Sequence, residues 1–243
     1  MKQVLHKTLM FALMMFLGMM SIHAQTQVIA GWTFEATEEA NRVFADLGNA
    51  NNTGENAQVI TPVNINFTGY VLGSGGSGTV ANNSNQWNAI EGVDKFWQIR
   101  VNTLGFENLS ISSKQQSSGT GPRDFQVEFS LDGVTWSVVP NSTITTANNF
   151  TSGVLNPTAV PAAANNQETV FFRWITTSTI SVGGGNIAAT GTNRIDDILI
   201  EGTVLPGDPS DPDPEVPIFG TIASWNFTGE PGNQVATSGT CTD

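Results

Sequence analysis

Phe125-Gln126-Val127-Glu128-Phe129-Ser130-Leu131-Asp132-Gly133-Val134-Thr135-Trp136-Ser137-Val138 is the stretch on which the fold of this chain turns. Apolar residues at 125, 127, 129 and 131 alternate with polar ones, the period of two that places every second side chain on one face of a strand. Asp132-Gly133 supplies a turn dipeptide, and Val134, Trp136 and Val138 resume the alternation. The stretch predicts a β-hairpin.

Working outward, the same period recurs. Val28, Ala30, Trp32 and Phe34 alternate with Ile29, Gly31, Thr33 and Glu35. Trp97, Ile99 and Val101 alternate with Phe96, Gln98, Arg100 and Asn102, and Leu109 and Ile111 follow beyond the turn at Gly105, which predicts a strand pair. Val170-Phe171-Phe172-Arg173-Trp174-Ile175 is apolar on both faces except at Arg173 and suits a central strand. Ile195, Asp197 and Leu199 alternate with Asp196, Ile198 and Ile200 in a last strand closed by Gly202. No stretch sustains a helical period, and the connections are rich in Asn, Ser, Thr and Gly, which favour turns. The fold class expected is all-β: a two-sheet antiparallel β-sandwich, or jelly roll.

The organisation along the chain follows from composition. Lys2 and Lys7 precede an uncharged, largely apolar run from Thr8 to Met20 and a small-residue site ending at Ala24, so residues 1–24 read as a signal peptide for bacterial-type export. The run is shorter than the roughly 20 residues a membrane-spanning helix needs, and no second one follows. Residues 25–204 form the module. Leu205 to Pro217 carries repeated Pro and Asp and reads as an extended linker. Ile222-Ala223-Ser224-Trp225-Asn226-Phe227 then echoes Ile29-Ala30-Gly31-Trp32-Thr33-Phe34, so 218–243 reads as the first strand of a second, truncated repeat.

Charge and residue inventory exclude several function classes. The chain has 9 basic and 21 acidic residues; without Lys2 and Lys7 there are 7 basic residues and a net charge of −14. Such a chain repels nucleic acid, which is bound by clusters of Lys and Arg. Both histidines, His6 and His23, lie in the signal stretch, and the single cysteine is Cys241. Residues 25–204 therefore cannot build a Ser-His-Asp triad, a Cys-His pair, an imidazole zinc site or an intrachain disulfide. A pair of carboxylates of the glycosidase kind needs neither residue, but nothing in the sequence selects one. Gly73-Ser74-Gly75-Gly76-Ser77-Gly78 matches GxGxxG formally; no helix begins after it, so it reads as a loop.

Three segments together carry a family resemblance: the opening Trp32-Thr33-Phe34; the run from Ser118-Gly119-Thr120-Gly121-Pro122-Arg123-Asp124-Phe125 to Ser130-Leu131-Asp132-Gly133-Val134-Thr135-Trp136; and the closing Arg194-Ile195-Asp196-Asp197-Ile198. The chain resembles β-jelly-roll modules of exported modular bacterial proteins. The hairpin is similar to that of discoidin-like and galactose-binding-like domains, and the closing strand is similar to that of carbohydrate-binding modules with a structural calcium. The resemblance implies an extracellular, non-catalytic module that sits beside nuclease, protease or glycosidase domains, or in adhesins.

Candidate site residues follow. Glu35, Glu38 and Asp46 after the first strand and Asp196 and Asp197 in the last offer hard oxygen ligands, and first and last strands of a jelly roll can lie together; the resemblance makes structural calcium the expected cofactor. The alternative is that the glutamates solvate a loop and Asp196 pairs with Arg194. Arg123 and Asp124, after a Gly-Pro turn, are placed to meet a ligand, or to pair with each other. Trp87, Phe96 and Phe150 offer either a stacking platform for sugar rings or core packing. The expected function is binding or adhesion, with a glycan or cell-surface ligand as partner. The alternative is an accessory role beside an extracellular hydrolase domain beyond residue 243, and a third reading makes the module itself a glycosidase.

Overall fold

The computed structural model describes residues 25–60, 64–76 and 79–205, together with the backbone of residues 224–225 and 236–238. Residues 1–24, expected to be a signal peptide, and most of 206–243 lie outside the described residues.

Thirteen strands make up the unit Ala24–Leu205. They are β1 (Thr26–Trp32), β2 (Leu47–Gly48), β3 (Gln58–Ile60), β4 (Asn66–Leu72), β5 (Val80–Asn85), β6 (Phe96–Val101) and β7 (Phe106–Ser117), then β8 (Asp124–Ser130), β9 (Ser137–Val138), β10 (Ile144–Thr145), β11 (Gly153–Ala159), β12 (Val170–Thr176) and β13 (Asn193–Val204). Among the described residues the only helical turns are four three-residue 3-10 segments. β14 (Ser224–Trp225) pairs with β15 (Ala236–Ser238) in a second unit.

Within Ala24–Leu205 all strand pairings are antiparallel and form two sheets. The first runs β11-β7-β13-β1-β2, with β5 also on β13 and β4 on β5; the second runs β10-β8-β12-β6-β3, with β9 also on β8. The chain is thus an all-β sandwich, as the alternation predicts. Each sheet turns one face inward: Trp32, Ile111, Ile195 and Ile200 from the first meet Trp97, Ile99, Val127, Phe172 and Trp174 from the second, all but fully buried. Each such side chain contributes about 1.5–3 kcal/mol when removed from water, so this core supplies the stability that a disulfide supplies in smaller exported domains.

The pairing differs from expectation in one place. β6 and β7 follow one another but do not pair: β6 joins β12 and β3, whereas β7 joins β13 and β11. The chain crosses between sheets at Asn102–Gly105, where Thr103 Oγ1 donates to the Ala164 carbonyl at 2.7 Å and fixes the crossing.

Polar strands also occur where periodicity is silent. β5, Val-Ala-Asn-Asn-Ser-Asn, and the end of β7 bury Asn82, Ser84, Gln115 and Ser117 against the core. Several of their partners are remote in sequence, Asn193 on β13 above all. The Trp87 indole donates to Ser84 Oγ at 2.9 Å, Trp97 to Asn193 Oδ1 at 2.6 Å, and Asn193 Nδ2 to Ser117 Oγ at 2.9 Å. Trp174 Nε1 donates across to Ser113 Oγ at 2.9 Å, tying one sheet to the other. Buried indoles need acceptors, and these small polar residues are placed to provide them.

Candidate functional site

The outer face of the second sheet carries a charged and aromatic cluster, built around the one polar residue in the apolar run of β12. Arg173 stands opposite Gln98 on β6 and Glu128 on β8. Its Nη2 and Nε both lie 2.7 Å from Glu128 Oε2, and its Nη1 lies 3.4 Å from Asp94 Oδ2. The other Glu128 oxygen accepts from Gln126 Nε2 at 3.0 Å. The guanidinium carbon lies 4.2 Å from the centre of a Trp136 ring and 4.9 Å from that of Phe96. The Phe96 and Trp136 rings are 6.4 Å apart, and both are half-buried. Arg173 is held from every side, so the rings around it are fixed in position.

Trp136 reaches this face because the hairpin connection keeps the parity of β8, odd-numbered residues inward and even-numbered ones outward, where a two-residue turn at Asp132-Gly133 would have exchanged them. Phe129 pairs with Ser137 and Glu128 with Val138, so seven residues, 130–136, lie between the closing pair, and the next buried inward side chain is Val139 rather than Val138. Val134 is 81% exposed. A one-residue offset moves a whole strand's side chains to the other face. The connection is itself braced. Asp132 Oδ1 accepts from the Thr135 amide at 2.7 Å, the Val134 amide at 2.8 Å and Ser130 Oγ at 2.8 Å. These donors, Thr135 first, hold its carboxyl far below the usual carboxylate range. Gly133 adopts φ +73° there, with the Phe171 ring 3.5 Å from where a Cβ would stand.

At the rim of this face, the segments 87–95 and 176–179 enclose a cavity of about 230 Å³, and Asp94 joins it to Arg173. A second cavity of about 350 Å³ lies on the outer face of the first sheet, between Leu47, Val154 and Leu199. Its walls mix aliphatic side chains with polar and charged ones, Lys114 and Asp197 among them, and no aromatic ring lines it.

The expected ligand residues are distributed unequally. Phe96 joins the cluster. Arg123 and Asp124 form a two-bond ion pair, Nε to Oδ1 and Nη2 to Oδ2, each 2.9 Å, and Asp124 also accepts from Ser178 Oγ at 2.6 Å beside the cavity. The Arg123 hydrogen bond, followed by that of Ser178, outweighs burial and lowers the Asp124 pKa; Asp124 in turn raises that of Arg123. Trp87 is not part of a stacking face. Its indole is wrapped in the core, edge-on to Phe125 at 5.5 Å, and only borders the cavity. Phe150 lies half-buried between β10 and β11, without an aromatic neighbour among the described residues. Trp136, Arg173, Glu128 and Asp94 were not singled out from sequence; the lone arginine in β12 was the available signal.

The acidic candidates lie around the junction of first and last strands, but among the described residues no three of them come together as a group that could hold a metal ion. β13 pairs with β5 through Ile195 and with β1 from Ile198, and between them Asp197 adopts φ +45° in a bulge. Asp196 is buried, and its oxygens accept the Ser74 and Asp197 amides at 2.7 and 2.8 Å. Burial, partly offset by the Ser74 amide, pushes its carboxyl up to about 7. Its Oδ2 and the Val80 carbonyl both approach Gly73 so closely that a Cβ there would lie 2.7 Å from each. Glu35 Oε1 accepts from the Val80 amide at 2.7 Å. Asp46 accepts from the Thr33 and Glu35 amides, Asp197 pairs with Lys114 Nζ at 2.8 Å, and Glu38 is exposed. The alternative pairing of Asp196 with Arg194 does not form: Arg194 Nη1 donates to the Leu72 carbonyl at 3.4 Å.

No family model matches the chain, and no curated protein matches it. Solved structures of carbohydrate-binding modules and adhesin domains are similar to it. A CBM4-type module is 14% identical over 67% of this chain and 98% of its own, with a TM-score of 0.39. A mannan-recognising carbohydrate-binding module is 10% identical over 74% of this chain and all of its own, with a TM-score of 0.38. A cleaved adhesin domain of Lys-gingipain from Porphyromonas gingivalis is 12% identical over 72% of this chain and 97% of its own, with a TM-score of 0.38.

Proposed function

We propose that this sandwich is a non-catalytic glycan-binding module of an exported protein, and that the Trp136, Phe96 and Arg173 face receives the glycan. One observation carries the reading: two half-buried rings are locked around a guanidinium whose charge is already neutralised by Glu128. A sugar offers an apolar C–H face and a ring of hydroxyls. A fixed aromatic surface flanked by side-chain amides, here Gln98 and Gln126 in the rows beside Arg173, matches both. Nothing on this face other than carboxylates moves protons, and the Glu128 carboxylate is engaged on both oxygens. The Pro- and Asp-rich stretch 205–217 and the second Trp225-Asn226-Phe227 support a modular protein, in which the same binding serves either adhesion or the targeting of a neighbouring hydrolase domain. A glycan array followed by titration calorimetry tests the reading. Trp136→Ala, which removes surface rather than core, is expected to weaken binding at least tenfold with little change in Tm. Array silence, or unchanged affinity in this variant, sinks it.

Calcium belongs to the same proposal. Among the five acidic candidates, Asp196 fits a hard cation best, because it is a buried carboxylate that makes no ion pair among the described residues and the Val80 carbonyl lies near it, while Glu35 binds the amide of the same Val80. Asp197 is neutralised by Lys114 and Asp46 is committed to backbone amides. A bound ion would tie the hairpin of β4 and β5 to β13. Calcium is expected to raise Tm by several degrees in the wild type and not in Asp196→Asn; equal shifts in both place the ion elsewhere.

A further inference from the structure

The cavity at the rim of the sheet has a chemistry distinct from the aromatic face beside it. At about 230 Å³ it is smaller than the sites of drug-sized ligands, which take about 300–1,000 Å³, and suits a single ring. One wall is aliphatic: Ile90, 51% exposed, with Val93 and Ile187. The opposite side carries Thr176, Thr177 and Thr179, whose hydroxyls take no hydrogen bond among the described residues, whereas Ser178 is spent on Asp124.

Charge narrows the ligand. Lys95 lines the cavity, but its ammonium donates to the carbonyls of Asn64 and Gln86 and is not offered inward. Arg173 is engaged by Glu128 and Arg123 by Asp124. The charge least engaged is the Asp94 carboxylate, 60% exposed, whose ion pair among the described residues is a 3.4 Å contact of Oδ2 with Arg173. A carboxylate with two free acceptor sites suits adjacent hydroxyls of one ring, and it repels an anion. An aliphatic wall, free hydroxyls and one lone carboxylate leave no counter-charge for a uronate, sulfate or phosphate.

We propose that this cavity is a second subsite that seats one uncharged sugar ring, with Asp94 as the residue that accepts its adjacent hydroxyls and excludes acidic glycans. The inference rests on the glycan-binding reading above, since the aromatic face holds the neighbouring ring. Asp94, touching both the cavity and Arg173, links the two.

Calorimetry with galactotetraose, mannotetraose and cellotetraose, and with tetragalacturonate as the acidic counterpart of the first, tests it on wild type, Asp94→Asn, Thr177→Val and Trp136→Ala. Wild type is expected to bind a neutral tetraose and to bind tetragalacturonate at least tenfold more weakly at low salt. Asp94→Asn is expected to lose at least tenfold on the neutral tetraose and to narrow the gap to the acidic one; Thr177→Val is expected to lose severalfold. If Trp136→Ala abolishes binding while Asp94→Asn and Thr177→Val leave it unchanged, the subsite is refuted and the aromatic face stands. Equal affinity of wild type for galactotetraose and tetragalacturonate refutes the charge selection. Binding of none of the neutral tetraoses overturns the aromatic face and the subsite together.

Discussion

Removing the Glu128 charge tests the idea that the outer face is held rigid by Arg173. The two side chains are 13% and 11% exposed, and their closest atoms are 2.7 Å apart. At an effective dielectric of about 20 the attraction at that distance is about 6 kcal/mol, most of which offsets the cost of taking both groups out of water. Removing one partner of a largely buried pair typically costs about 3–5 kcal/mol, because the other charge is stranded. Asp94 retains a contact at 3.4 Å from a position open to solvent, and the two rings each hold the cation by about 0.5–1 kcal/mol. Glu128→Gln is therefore expected to cost about 2–3 kcal/mol, read by urea unfolding at pH 7, or about 4–12 °C in Tm for a domain of this size. Arg173→Met combined with Glu128→Leu, which removes both charges, is expected to return to within about 1 kcal/mol of wild type. A cost below about 0.5 kcal/mol for Glu128→Gln, or a double variant no more stable than the single one, refutes the reasoning: the pair would then be a solvated surface contact.

Two further outcomes are expected. A Cβ at Gly153 would lie 2.1 Å from the Gln115 carbonyl, so Gly153→Ala should pry edge strand β11 from β7 at a cost of about 1–3 kcal/mol, read as lost amide protection over 153–159 with the rest of the sandwich intact; full protection there contradicts the register. Asp132 is held below its ordinary value of 3.8 in the folded state, so its bracing of the hairpin is complete above about pH 4 and is lost as the pH falls through the lower folded value. Trp136 fluorescence should stay constant from pH 7 to about 4 in the wild type, whereas Asp132→Ala should already show the loosened signal at pH 7; identical spectra for the two proteins contradict the bracing.

Much of the sandwich is legible in the residues themselves. Alternation in 125–131, 170–175 and 195–200 demands strands, because only the extended chain puts every second side chain in the core, and the loss of imidazole and thiol from residues 25–204 is a property of composition alone. β1 and β13, the first and last strands, pair directly, as a jelly roll allows. Other features required the folded chain. Trp136 lies outside rather than inside because seven residues between the closing pair keep even-numbered side chains on the outer face, and loop length is set by the braced turn at Asp132 rather than by the strands. β5 is a strand despite Asn-Asn-Ser-Asn because the Trp87 indole, together with the Asn193 carbonyl on β13, completes the hydrogen bonding of Ser84, and β13 is about a hundred residues away. Asp94 borders a cavity because Arg173 and residues 176–179 arrive beside it from β12. Local periodicity determines which residues seek the interior; only closure of two sheets decides which polar groups meet, since each bond joins segments whose separation along the chain carries no local signal.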